Sequence, residues 1–210
     1  EKGLQVRVHC IGDLANTRTL DAYERAFGGR PRPELRWAVE HAQVVRPEDV
    51  RRFARLGVVA SMQATHATSD APWAERRLGP ERVEWSYAWR RFLDAGVRFA
   101  NGSDFPVESV DPMLGLHAAV TRRDPAGRLP AEGWRAGERL TPEEALRSFS
   151  LWGAWLAFRE GDLGSLEPGK QADFIVVDRD LVLGDAAAIP GTRVLRTVVA
   201  GETVFEADGP

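Results

Sequence analysis

FANGSDFPVES (residues 99–109) joins an apolar run to a turn and sets one carboxylate at the junction. The run Val97–Ser103 starts as a strand and ends in the turn formers Asn101, Gly102 and Ser103, and Pro106 prevents a ladder from continuing. Asp111-Pro112 then opens a helix-period segment carrying Leu114, His117 and Ala118. Strand, turn and helix in that order form the unit of a parallel α/β sheet. A lone Asp104 at such a turn is commonly a turn former or helix cap. It gains chemical interest only if companions share its position.

Working outward, the same grammar recurs three times upstream. Leu4–His9 carries Val6 and Val8 on one face, and a helix with Leu20, Tyr23 and Phe27 is expected over roughly residues 15–27. Leu35–His41 is followed by Pro47-Glu48-Asp49, a helix start with proline and acids in its first turn, and then by Val50, Phe53 and Ala54. Val58–Gln63 is followed by an expected long loop, then a helix with Trp85, Ala88, Trp89, Phe92 and Leu93. Four alternating strand–helix units predict a parallel α/β sheet, doubly wound or closed as a barrel. No glycine-rich phosphate-binding motif follows any strand.

Past residue 123 the pattern changes. A Pro/Gly-rich loop leads to Thr141-Pro142-Glu143-Glu144, where Thr141 and Glu144 can form a capping box. Trp155 and Phe158 lie on a second helical piece. Strands are then expected at residues 172–177 and in a hairpin around Gly201, a small β element appended to the α/β part.

Composition narrows the function classes. The chain has 210 residues, 43% hydrophobic and 28% charged, which is globular. A net charge of −3 and scattered arginines give no case for nucleic-acid binding. One cysteine, Cys10, excludes an internal disulfide and a thiolate metal cluster. No apolar run approaches the ~20 residues of a membrane helix. The chain begins EKGLQVRVHC, without Met and almost directly in a strand, as the middle of a longer protein would.

His9, His41 and Asp104 share one address: each ends a strand run, ahead of a turn and helix. In a parallel barrel those ends lie on a single face, where active sites collect. A strand-end His taken alone is more often packed or on the surface. Three such residues in repeated units point to a first shell for a borderline divalent ion such as zinc. His66 lies just beyond the third strand and is suited to binding substrate or polarising a carbonyl. Asp13 is expected to cap a helix, His117 to serve packing, and Cys10 to point to the strand face opposite His9.

These pieces together resemble the metal-dependent amidohydrolase superfamily, most closely the C-terminal half of its YtcJ-like branch (amidohydrolase family 3). The matching motifs are His9-Cys10-Ile11-Gly12-Asp13, Val39-Glu40-His41-Ala42-Gln43, and Ser61-Met62-Gln63-Ala64-Thr65-His66 with Asp70 and Trp73. Gly102-Ser103-Asp104-Phe105-Pro106-Val107 follows, then Gly164 to Lys170 leading into Ala172–Asp178. The resemblance implies the C-terminal half of a (β/α)8 TIM barrel, strands five to eight, over residues 1–160, and part of a small β-sandwich over 161–210. It implies His9, His41 and Asp104 as metal ligands, Asp104 as general base, and His66 and Trp73 on a substrate-lining loop. It implies one or two divalent ions, zinc foremost, and hydrolysis of a non-peptide amide-like carbon–nitrogen bond in a small molecule. Ester or phosphoester hydrolysis, or a non-catalytic binding or structural role, are the alternatives. The strand-one His-x-His pair and the strand-four Lys of that family have no counterpart here, so they are expected upstream. This chain alone is therefore expected to be inactive. A homo-oligomer, a cytoplasmic location and no membrane or nucleic-acid partner complete the expectations.

Overall fold

The computed structural model describes residues 3–208. Its main sheet contains β1 (Arg7–Cys10), β2 (Ala38–His41), β3 (Val59–Met62) and β4 (Phe99–Asn101). All four are parallel and lie in the order β1-β2-β3-β4. The order follows the chain, without the reversal that marks a doubly wound sheet. Register pairs Val8 with Val39, Val39 with Ala60, and Ser61 with Ala100. Every strand therefore ends near the same level, and the four strand–helix junctions lie along one edge.

The helices are α1 (Asp13–Ala26), α2 (Pro47–Leu56), α3 (Ala64–Val83), α4 (Trp89–Asp94), α5 (Pro112–Thr121), α6 (Pro142–Phe149) and α7 (Leu151–Leu156). Local chemistry sets their ends. Helix α2 starts at Pro47 with Glu48 and Asp49 in its first turn, where acids favour the positive end of the helix dipole. It stops at Gly57, whose φ of 72° lies in the left-handed region; a Cβ there would stand 2.7 Å from Pro33. Val50, Phe53 and Leu56 bury its inner face. Asp111 caps α5 by accepting from Met113 N at 2.9 Å. Thr141 and Glu144 form the expected capping box on α6.

Two local expectations are corrected. The long loop foreseen after β3 is the 20-residue helix α3, kinked at Gly79. Its buried face is built from Ala64, Ala67, Ala71 and Ala74, so helical spacing is present without large apolar residues to reveal it. His66 and Trp73 are therefore on a helix and not on a loop. Asp13 is not a cap: Gly12 occupies that position without a side-chain bond, and Asp13 instead faces Arg46 at 3.5 Å.

The tail forms a separate antiparallel sheet of β5 (Phe174–Val177), β6 (Val194–Val199) and β7 (Glu202–Glu206). A 3-10 turn at Ala186–Gly191 ties it to the α/β part, with Ile189 in the main core. Among the described residues no helix is long and apolar enough to cross a membrane.

Candidate metal centre

The junctions after β1, β2, β3 and β4 deliver His9, His41, His66 and Asp104. His9 is the third residue of β1, on the face opposite the buried Cys10. Cys10 turns into the core, where its Sγ lies 3.1 Å from Thr19 Oγ1 and burial pushes its thiol pKa up. His41 is the last residue of β2 and Asp104 lies three residues past β4. Both have left-handed backbones, with φ of 76° and 55°. Non-glycine residues seldom adopt that conformation, and surrounding structure must hold them in it. His66 sits in the first turn of α3, immediately after β3.

The side chains converge. His41 Nε2 is 3.0 Å from His9 Nδ1, with the rings edge to face. The rings of His41 and His66 stack at 5.7 Å between centroids. His66 Nε2 is 3.9 Å from Asp104 Oδ2. One ligand atom each from His41, His66 and Asp104 lies within 4.8 Å of the others. The tightest trio therefore includes His66, and His9 joins through His41.

The donor set fits a divalent ion. Two nitrogens bound tetrahedrally at 2.0–2.1 Å stand about 3.3 Å apart, close to the His9–His41 separation. His66 Nε2 is a buried nitrogen with no hydrogen-bond partner. Imidazole and carboxylate donors suit zinc and its neighbours. Burial lowers the pKa of His66 most, with Glu108 the strongest opposing charge, so the neutral form of the ring is favoured.

A second polar group lies one turn along α3. Asp70 Oδ2 accepts from Gln43 Nε2 at 2.9 Å and from the hydroxyl of Tyr87. Burial raises the pKa of Asp70 and of Tyr87. The fully buried Arg122 guanidinium donates to Tyr87 O and Trp134 O, both at 3.0 Å, and lies 4.2 Å over the Trp89 ring. Burial brings the Arg122 pKa down to about 9. Ser69 Oγ donates to Glu108 at 2.6 Å. His66, Asp70 and Trp73 are spaced i, i+4, i+7 and share a helix face. Trp73 is 42% exposed, and no ring contact joins it to the histidines.

Asp70, Gln43 and Gln63 lie within the matched motifs without a role assigned by sequence, and neither Tyr87 nor Glu108 is a sequence candidate. Gln43 and Gln63 had a visible signal: polar residues at or just past the ends of apolar runs. Tyr87 had none, since it reaches Asp70 from a turn between helices.

The profile of the amidohydrolase family matches residues 1–205. The chain is 34% identical over 206 residues to the putative amidohydrolase YtcJ of Bacillus subtilis (strain 168), covering 98% of this chain and 38% of that one. It is 32% identical over 209 residues to the N-substituted formamide deformylase of Arthrobacter pascens, covering 99% and 38%. It is 36% identical over 209 residues to Protein LONG AFTER FAR-RED 3 of Arabidopsis thaliana, covering 98% and 35%. The chain thus spans little more than a third of these relatives. A metal-dependent hydrolase from Pyrococcus horikoshii OT3 superposes with a TM-score of 0.76 at 32% identity, over 88% of this chain and 36% of that one.

Proposed function

The chain belongs to the amidohydrolase family, and from that premise we propose that its full-length protein is a metal-dependent hydrolase of a non-peptide, amide-like carbon–nitrogen bond in a small molecule. The observation that carries this is the convergence of His9, His41, His66 and Asp104 at the ends of parallel strands. The formamide deformylase relative supports the bond type.

His9, His41 and Asp104 would hold the ion, zinc by donor chemistry, with His66 beside them. A divalent ion bound there would supply Lewis acidity, lowering the pKa of water toward neutrality and polarising an acyl carbonyl. Asp104 takes the proton of the attacking water as a bond forms to the acyl carbon. It passes that proton to the nitrogen as the carbon–nitrogen bond breaks, which leaves a carboxylic acid and an amine. His66 Nε2, buried and unpartnered, hydrogen-bonds the oxygen on which charge develops. Trp73, exposed farther along the same helix face, offers apolar surface to the substrate.

The open edges of β1 and β4 support a further part of this proposal. Residues 1–160 are half of an eight-stranded barrel, and 161–210 are a sandwich segment awaiting strands from elsewhere in the full chain. The test is a panel of amides, esters and phosphoesters on full-length protein, before and after chelation. Amide turnover that is lost with the metal and regained on its return is expected. Turnover confined to esters or phosphoesters, or surviving chelation, would overturn the proposal.

A further inference from the structure

We propose that Gln63 is a positioning residue that fixes the ring orientation and protonation pattern of His41, so that its Nε2 lone pair faces the metal position. This rests on the cluster being a metal centre, as proposed above. Gln63 Oε1 lies 2.8 Å from His41 Nδ1, in a buried contact. At the other end of the amide, Gln63 Nε2 faces Ser61 O at 3.5 Å. Reversing the amide would place two oxygen acceptors against each other there. Oε1 faces His41, and an amide oxygen can only accept, so in this arrangement Nδ1 carries the proton. Nε2 is left bare and points at His9 Nδ1, 3.0 Å away.

The local structure shows that Gln63 serves something other than its own helix. It occupies the N-cap of α3, yet its side chain makes no cap bond. Ser, Thr, Asp or Asn would be the stabilising choice there. Glutamine has the extra methylene needed to reach across to the end of β2. It is also only 8% exposed, so its amide is committed to buried partners. Metal-bound histidines regularly donate their second ring N–H to such an acceptor, which sets both ring orientation and tautomer.

The test uses full-length protein as wild type, Gln63→Leu and Gln63→Glu. In zinc-free wild type, 15N NMR of His41 is expected to show Nδ1 protonated and Nε2 bare. Gln63→Leu should lose that preference and bind zinc ~10–100-fold more weakly in competition with a chromogenic chelator. Gln63→Glu keeps an acceptor and should bind zinc as tightly as wild type. A packing role alone would lower the zinc-free melting temperature and leave affinity unchanged. An Nε2-protonated His41 in wild type would overturn the proposal, as would unchanged zinc affinity in Gln63→Leu. If the Leu variant does not fold, the wild-type tautomer and the Glu affinity decide, and a Glu variant as much as tenfold weaker counts against it. A wild type that holds no zinc defeats the metal-centre function, while the tautomer in that same sample still decides the role of Gln63.

Discussion

The two sheets of this chain are built from similar residues and treated very differently. In the parallel sheet Ala38, Val39, Ala60 and Phe99 are wholly buried between strands and helices. In the tail sheet Ile175, Val204 and Phe205 are 44%, 60% and 49% exposed, and every residue of β7 is exposed. Apolar content therefore does not separate them; the presence of a second layer does. A strand becomes core only when something packs on it, and α1 on β1 and α6 and α7 on β4 do so for the first sheet. The parallel sheet also sets His9, His41 and Asp104 at or just past the ends of its strands, whereas the tail sheet carries surface ion pairs such as Arg196–Glu206.

The sharpest way to break this contrast is chemical. Asp104→Asn in the full-length protein should cut kcat by ~10²–10⁴-fold with little change in melting temperature, the usual scale for losing a general base. Asp178→Asn in the tail should leave kcat unaltered. Equal kcat losses at both positions, read from steady-state kinetics, would erase the functional half of the comparison.

Next in size is packing. Phe53 is fully buried and meets the Phe92 ring edge to face at 5.2 Å. Phe53→Ala should destabilise by ~3–5 kcal/mol in denaturant unfolding. A loss below ~1 kcal/mol would mean the core relaxes around the cavity.

A smaller effect is expected where α6 is capped. The Arg90 guanidinium pulls the Glu144 pKa down to about 2, against 4.5 ordinarily, and Thr141 adds to it. A depressed carboxylate pKa contributes stability above the unfolded value, and that contribution disappears as pH falls from about 4.5 through about 2. Glu144→Gln should cost about 1 kcal/mol at neutral pH, and the deficit should vanish toward pH 2. A deficit that persists at low pH would remove the charge from the explanation.

The smallest effect concerns the tail itself. Phe205→Ala should change stability by less than ~0.5 kcal/mol if its ring stays in water. A loss of several kcal/mol in the full-length protein would show that a second layer covers this sheet, and would dissolve the contrast from the other side.

What the sequence by itself determined was local or periodic. Strand runs, proline-led helix starts, the Thr141–Glu144 box and the shared strand-end address of His9, His41 and Asp104 all depend on nearby residues or on a repeated order. Tertiary structure decided what depends on distance through space. It made the stretch after β3 a helix, because its buried face is alanine and only close packing rewards small residues. It brought His66 together with His41 and Asp104, linked Tyr87 to Asp70 across 17 positions, and turned Gln63 from a helix cap toward His41, 22 positions away. Such pairings leave no periodic trace in the chain, since a hydrogen bond requires only that two atoms meet and not that their residues be regularly spaced.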